Sequence, residues 1–530
     1  MLIRRTLLAA SAAAPFAAIR FARAATPKDV LVVATQIDDI INGFDPAECY
    51  EGSDVEIDGN IYARLVIPDD NDHSKVVGDL ASAWTVSADG STFTFHLKND
   101  AFFPSGKAAT AEDAAFSLQR VVKLNKAPGF IITQFGFTKE NVDQLIRAID
   151  ARTLEVKLPT AQAPSFLLFC LSANVGSIVE KATALANEQN GDLGNVWLKT
   201  HTAGTGPYQL TTWAASDRVV MDANPRSGIA VGCKKVILRH VPDPSAQLLL
   251  LQNGDADIAR NLTPDQLKVV AQREEYHIIS TGQGNSMYIA MNQAMPELAK
   301  PQVRQAIKWA IDYDAIAKNI TPNTWSVAQG FLPPGLPGAL TDQPFHKDSA
   351  KAKALLADAG LPDGFSVTLD HASKPPYSDI AQAIQADLGA VGIKVSLIGG
   401  ENKQVVTKSR ARQHQLVMKV WGTDYFDPNS NAQTFCENID DGDGTKLKSM
   451  AWQSHFQDQE LTEMALAAAK ELDSPKRIAM YEKMQRLSQE RAPIVFLLQE
   501  VAVAAMAKGV TGFTIGAISD YTRYAGVRKA

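Results

Sequence analysis

The sequence predicts an α/β protein built from more than one domain, on three observations. A chain of 530 residues exceeds the roughly 250–300 at which a single hydrophobic core stops growing. Its composition, 45% hydrophobic and 21% charged, is that of a folded globular protein and excludes collagen-like, coiled-coil and largely disordered classes. Segments with the two-residue period of strands alternate along the chain with segments of helical period, which argues for several sheets covered by helices.

The elements are taken in chain order. Residues 1–25 carry Arg4 and Arg5, then an uncharged apolar stretch from Leu7 to Ile19, then Ala22-Arg23-Ala24 as a small-x-small cleavage site. That stretch is too short to span a bilayer, so it is expected to be a signal peptide. The arginine pair followed by Thr6, Leu7 and Leu8 resembles a twin-arginine signal, although Ile3 stands where Ser or Thr is usual and leaves Sec export open. Losing the four arginines of this segment moves the formal charge from −6 toward −10. An acidic chain lacks the basic surface of a nucleic-acid binder. Ala25, and not a cysteine, stands directly after the cleavage site, so a lipid anchor is not expected.

In Thr92–Lys98, Phe93, Phe95 and Leu97 alternate with polar residues, predicting a half-buried strand. Thr110 with Asp113 predicts a capping box, opening a helix with Ala114, Leu118, Val121 and Val122 on one stripe. Leu154, Val156 and Leu158 predict a further strand, and Ser245–Gln252 a helix closed by Asn253-Gly254. Pro301 suits the first helical position before Val303, Ala306, Ile307 and Ala310. Asp348 caps a helix bearing Ala352, Leu355, Leu356 and Ala359, stopped by Gly360 and Pro362. Ile380, Ala383, Ile384, Leu388 and Val391 form another stripe, followed by a strand at Ile393, Val395 and Leu397. After Pro493, the apolar run to Ala507 is interrupted by Gln499 and Glu500, and is expected to form two buried strands.

Enzyme motifs are missing. There is no phosphate-binding G-x-x-x-x-G-K-[ST] loop, and Gly282-Gln283-Gly284 lacks the third glycine of a dinucleotide fingerprint. The acidic run Asp440-Asp441-Gly442-Asp443-Gly444 places Ile439 and Met450 where a calcium loop needs carboxylates, so a solvated turn is expected. The nine histidines include no pair at metal-ligand spacing. Cys49, Cys170, Cys233 and Cys436 contain no C-x-x-C; export would permit disulfides, and four buried free thiols is the competing reading.

Several stretches together resemble the extracytoplasmic solute-binding proteins of ABC transporters, in the peptide/opine/nickel family. Asp79-Leu80-Ala81-Ser82-Ala83-Trp84 with Ser87-Ala88-Asp89-Gly90 is similar to its "LAxSWxxSxDG" signature. Phe102 to Lys107 and Thr110-Ala111-Glu112-Asp113 continue it, with Pro104-Ser105 in place of the usual His-Asp. Gly204-Thr205-Gly206-Pro207-Tyr208 matches "GTGPY", Leu251 to Ile258 matches "LxxGexDI", and Val303-Arg304-Gln305-Ala306-Ile307 with Ala310-Ile311-Asp312 matches "VRxAIxxAID". Lys351 to Gly364 matches "AKxLLxEAGxPdG".

The resemblance implies the two-lobed periplasmic binding protein fold with an extra domain, hence three domains and two crossover strands. Domain I would comprise 26–65, 203–289 and 500–530, domain II 66–202, and domain III 290–499. It further implies an exported, soluble, periplasmic monomer that captures di- or oligopeptides by hinge closure and delivers them to the permease and ATPase subunits of an importer. No enzyme activity, metal or cofactor is implied. An opine or nickel-chelate receptor of the same fold is the alternative, and an exported hydrolase is the alternative from another class.

Trp421-Gly422-Thr423-Asp424-Tyr425-Phe426-Asp427-Pro428 resembles the family's W-x-x-D-x-x-D-P run, whose first aspartate binds the ligand ammonium in peptide-binding members. Asp424 holds that place, and a buried carboxylate needs such a partner. The competing reading is a cap of a local turn. Trp421 would form an apolar wall with a ring N–H, and Gly422, Thr423 and Tyr425 accompany it. Asp427-Pro428 reads as a turn. Gln36 and Ile37, with Thr35, align with cleft-facing residues of relatives, and Met287-Tyr288-Ile289 is a comparable strand. Some relatives place an arginine for the ligand carboxylate six residues before the aspartate; here that position is Met418, and Lys419 is expected to point away by strand parity. Lys374, Arg410 and Arg412 are the loose cationic candidates.

Overall fold

The computed structural model describes residues 26–69 and 72–530, so the signal segment 1–25 lies outside the described residues. The chain folds around one large mixed sheet. Its strand order is Lys394–Gly400, Ser366–Ala372, Leu416–Gly422, Tyr276–Met291, Ile494–Ala507, Ile258–Ala259, Val30–Thr35, Lys235–His240, Arg218–Ala223 and Tyr208–Ala214, with Trp325–Val327 also pairing Ile494–Ala507.

The two central strands are long because each serves both lobes. Tyr276–Met291 and Ile494–Ala507 run antiparallel, and their pairing breaks register between Gly282 and Ser286. On one side of that bulge, Tyr276–Gly282 pairs with Val501–Ala507 in the lobe that holds Val30–Thr35. On the other, Asn285–Met291 pairs with Leu416–Gly422. A bulge re-aims the strand and weakens the ladder locally, which suits a hinge. Residues 289 and 499, limits implied by the resemblance, fall inside these strands.

One expectation is corrected here: the apolar run after Pro493 is one strand of 14 residues, Ile494–Ala507, and not two. Gln499 and Glu500 interrupt the hydrophobicity but not the backbone ladder. The Gln499 amide is buried and donates to the carbonyls of Gln283 (2.9 Å) and Pro334 (2.7 Å), so its polarity is satisfied at the bulge.

Separate apolar cores support the sheet. Leu31, Val33, Ile57, Tyr208 and Ile258 pack within the N-terminal lobe. Met287, Ile289, Ile307, Ile384 and Met418 pack within the other lobe, where helices Pro301–Ala310 and Tyr377–Gly389 present their apolar stripes. A third core lies under a four-stranded sheet formed by Ala81–Val86, Thr92–Leu97, Thr153–Lys157 and Ile146–Ala148. Helix Ala111–Leu124 buries Ala114, Leu118, Val121 and Val122 there, and its capping box forms between Thr110 and Asp113. Helix Pro244–Asn253 ends at Gly254, whose φ of +78° is the left-handed conformation that glycine adopts at no steric cost. All four cysteines are free and buried.

Candidate functional site

A cavity of about 500 Å³ opens beside the bulge of the crossing strands, within the range of small-molecule sites. Its walls include the loop and first turn at Cys49–Val55, the segment Ala173–Val175, the end of strand Leu416–Gly422 with its following loop, and Ile518–Asp520. Gln283 and Asn285 form its floor at the bulge.

The segment after Gly422 is held in place from below. Thr423 donates its backbone N–H to the carbonyl of Gly284 (3.0 Å), with Oγ1 2.8 Å from the same oxygen. The approach is close: a Cβ on Gly284 would meet the Thr423 Cβ at 3.0 Å and the Ile518 Cγ2 at 3.1 Å, so a side chain there would push both back by a few tenths of an ångström. Asp427 is fully buried and forms a two-pronged ion pair with Arg477, both contacts at 2.7 Å. Arg477 reaches it from helix Ser474–Arg491 and also donates to Ser165 (3.0 Å) and Tyr481 (2.9 Å). Such a paired, hydrogen-bonded charge fixes a loop far more firmly than the turn expected at Asp427-Pro428.

Asp424 is thereby presented to the cavity. Its backbone N–H donates to Ser430 Oγ (3.1 Å), and its Oδ1 accepts from the phenol of Tyr50. Asp424 is half-buried and lines the cavity. Burial pushes it up to about 6, against the Tyr50 hydrogen bond, which favours the ionised form. On the same side Glu51 is also raised by burial, with the Asp39 carboxylate adding to it. The Tyr50 hydroxyl is raised above its usual range by burial and then by Asp424.

The opposite wall is cationic. Lys419 is buried, lines the cavity, and contacts Ser409 Oγ (3.0 Å), Gln453 Oε1 (3.3 Å) and Met450 Sδ (3.6 Å). Burial, then the nearby Arg410 guanidinium, pulls its ammonium down to about 7. Arg410 is exposed at the end of helix Asn402–Arg410 and contributes to the rim.

Trp421, Gly422, Thr423 and Asp424 line this cavity, and so do Arg410 and Tyr288 among the residues singled out by sequence. Five others do not line it. Tyr425 turns away into the third core, against Phe166 at 5.8 Å between ring centroids. Ile37 is buried in the N-terminal lobe core. Gln36 is exposed and its amide donates to the carbonyl of Pro242 (2.9 Å). Lys374 is exposed in the loop after Ser366–Ala372. Arg412 is engaged elsewhere, paired with Asp441 (2.6 Å) and 4.2 Å over the Trp452 ring.

The expectation for Lys419 is reversed. Met418 sits on the other face, in the helix-packed core, and Lys419 shares the cavity face with Trp421. Parity holds only along the strand, which ends at Gly422; counting back from Asp424 carries it across an irregular loop. Tyr50 had no signal in the sequence, and Tyr288 could be foreseen only as one residue of a candidate strand. Among the described residues no group of three His, Cys, Asp or Glu side chains is placed to hold a metal ion, and no helix is long and apolar enough to cross a membrane.

The chain matches the model of bacterial extracellular solute-binding proteins, family 5 Middle, over residues 75–443. It is 29% identical over 517 residues to the probable D,D-dipeptide-binding periplasmic protein DdpA of Escherichia coli K12, covering 96% of this chain and 95% of that protein. Its fold is that of the periplasmic binding protein DppA from Helicobacter pylori, solved with the peptide STSA, with a TM-score of 0.76 at 24% identity over 94% of this chain and 98% of that one. It is also that of AgaA from A. tumefaciens R10, solved with agropinic acid, with a TM-score of 0.74 at 23% identity over 94% of this chain and 99% of that one.

Proposed function

The chain belongs to the family 5 bacterial extracellular solute-binding proteins, and from that premise we propose that it is the periplasmic substrate-binding component of an ABC importer that captures short peptides in the cavity between its lobes. The observation that carries the reading is Asp424: a half-buried carboxylate lining that cavity, with a tyrosine hydroxyl and, among the described residues, no cation as its partner. A ligand ammonium would supply the missing charge. The similarity to a probable D,D-dipeptide-binding protein over nearly the whole chain supports the peptide class.

The mechanism follows from the geometry. Tyr50 and Asp520 approach the cavity from the N-terminal lobe, while Asp424 and Lys419 approach from the other. A ligand that touches both sides stabilises the closed arrangement and shifts the open–closed equilibrium. The bulge at Gly282–Ser286 is where two continuous strands can flex. The closed form would then dock on a permease pair driven by separate ATPase subunits. The chain acts as a monomer without a cofactor and performs no chemistry on the peptide. Residues 1–25 serve its export by the twin-arginine route.

Native mass spectrometry of the gently purified mature protein tests the reading. A set of bound masses that sequence as peptides supports it. A single opine-like mass, or one with a nickel isotope pattern, would move the assignment to an opine or metal-chelate receptor. Cleavage of model peptides on incubation would move it to a hydrolase.

A further inference from the structure

Tyr425 follows Asp424 directly, yet its side chain leaves the loop for a core built from a distant stretch of the chain. Apart from Tyr425, the buried members of the third core run from Ala47 to Ile178. Tyr425 is 1% exposed there. Its ring lies 5.8 Å from that of Phe166, which in turn lies 4.7 Å from Phe135. Its hydroxyl donates to Gln134 Oε1 at 3.4 Å, the long end of a hydrogen bond, so the ring carries most of the contact. The two regions also touch around it. The backbone N–H of Ala163 donates to the carbonyl of Ala469 (2.9 Å), just past helix Gln459–Ala468. Arg477 donates to Ser165 as described, and Phe426 meets the rings of Phe169 and His73.

The third-core region is tied to the N-terminal lobe by stronger means. Arg120 of helix Ala111–Leu124 holds Asp45 through two buried hydrogen bonds, and the backbone N–H of Glu180 donates to the carbonyl of Ala203 (2.9 Å). It therefore moves with that lobe. The loop bearing Tyr425 is anchored to the opposite lobe by Asp427 and Arg477. With Tyr50 also on Asp424, the arrangement is closed. Opening at the bulge must then draw the Tyr425 ring out of the third core, and an aromatic ring is among the largest apolar surfaces one side chain can bury. We propose that Tyr425 is a clasp, a positioning residue that seats in the third core only when the lobes are closed and so holds Asp424 over the ligand. It does not line the cavity, so it acts through the closed population and not by touching ligand. The clasp deepens the peptide reading above and rests on closure around the interlobe cavity. It gives the third-core region a task in binding: it receives the clasp and lengthens the ligand's stay.

Hydrogen exchange at the Ala163 amide of the mature protein, with the dissociation rate of L-alanyl-L-alanine, tests this. In the ligand-free protein, Tyr425→Ala is expected to speed exchange at Ala163 at least about ten-fold, because more of the population is open. Tyr425→Phe keeps the ring and is expected to behave as the wild type. Saturating dipeptide is expected to slow exchange at Ala163 in the wild type, although Ala163 is not a cavity residue. The dipeptide is expected to leave Tyr425→Ala at least about ten-fold faster, with its association rate little changed. Unchanged exchange and dissociation in Tyr425→Ala, with only a lower melting temperature, overturn the clasp, since Tyr425 would then serve the core alone. An equal effect in Tyr425→Phe overturns the ring as the clasp. No binding of the dipeptide by the wild type overturns the peptide reading alone, and the ligand-free comparison still decides the clasp.

Discussion

The phenol of Tyr50 donates a hydrogen bond to Oδ1 of Asp424, joining residues 374 positions apart in the chain across the interlobe cavity. Tyr50 precedes helix Gly52–Ile61 of the N-terminal lobe, and Asp424 follows strand Leu416–Gly422 of the other. The contact gives the carboxylate a neutral donor where the proposed ligand would bring a charged one. An arriving ammonium therefore competes with, or joins, a contact that already draws the lobes together.

Removing the charge at Asp424 should weaken the binding of ligands with a free ammonium. Asp424→Asn keeps the shape and still accepts from Tyr50. We expect a loss of about 2–4 kcal/mol in affinity for L-alanyl-L-alanine, the usual cost of truncating one side of a buried charge pair. Titration calorimetry of the variant checks it. Unchanged affinity would show that Asp424 does not meet the ligand.

The pH dependence of binding and of stability should run in opposite directions. Burial raises the Asp424 carboxyl from 3.8 to about 6. Below about 6 it is protonated and offers no charge, so affinity for an ammonium should fall as pH drops from 7 to 5, approaching about ten-fold per unit. A raised carboxyl holds its proton in the folded state after the unfolded chain has released it. Its contribution to stability is therefore full below 3.8 and lost as pH rises through about 6. Asp424→Asn should thus be more stable than the wild type at pH 8, by roughly 1–3 kcal/mol after allowing for the opening to the cavity, and equal to it near pH 3. Urea titrations of both proteins at the two pH values give the difference directly.

Tyr50→Phe should move the binding midpoint. Its hydroxyl favours the ionised carboxylate, so its loss raises the Asp424 value further above about 6. The pH at which affinity is half-lost should shift upward, with affinity at pH 8 little changed. A Tyr50→Phe profile superimposed on the wild type would remove Tyr50 from the electrostatics of the site.

How much of this was readable in the sequence follows the range of each interaction. The Thr110–Asp113 capping box and the stop at Gly254 were legible because three or four neighbouring residues decide them. The helical stripe through Ile380, Ile384 and Leu388 was legible because its period records burial, and all three are buried. Asp424 and Trp421 were legible by resemblance to a motif. Tyr50 was not, since nothing local marks a loop tyrosine that closes on residue 424. The orientation of Lys419 was misread because strand parity holds only within Leu416–Gly422, and the count began beyond its end. Tyr425 was drawn to the site by adjacency, yet alternate residues of that loop serve opposite sides, and its ring fills the core beside Phe166.

The loop that presents Asp424 should depend on a residue far from it in sequence. Arg477 and Asp427 are both buried, at 2% and 0% exposure, and hold each other through two hydrogen bonds. Arg477→Met replaces the guanidinium with an apolar side chain and leaves the Asp427 carboxylate buried without a counter-ion. We expect a cost of about 3–5 kcal/mol in unfolding free energy, as for other broken buried pairs. Adding Asp427→Asn to the same chain should recover part of it, because the stranded charge and not the lost packing dominates. A double-mutant cycle by urea unfolding measures the coupling. Additive losses would mean that the pair does not hold the loop, and that Ser165 and Tyr481 anchor Arg477 instead.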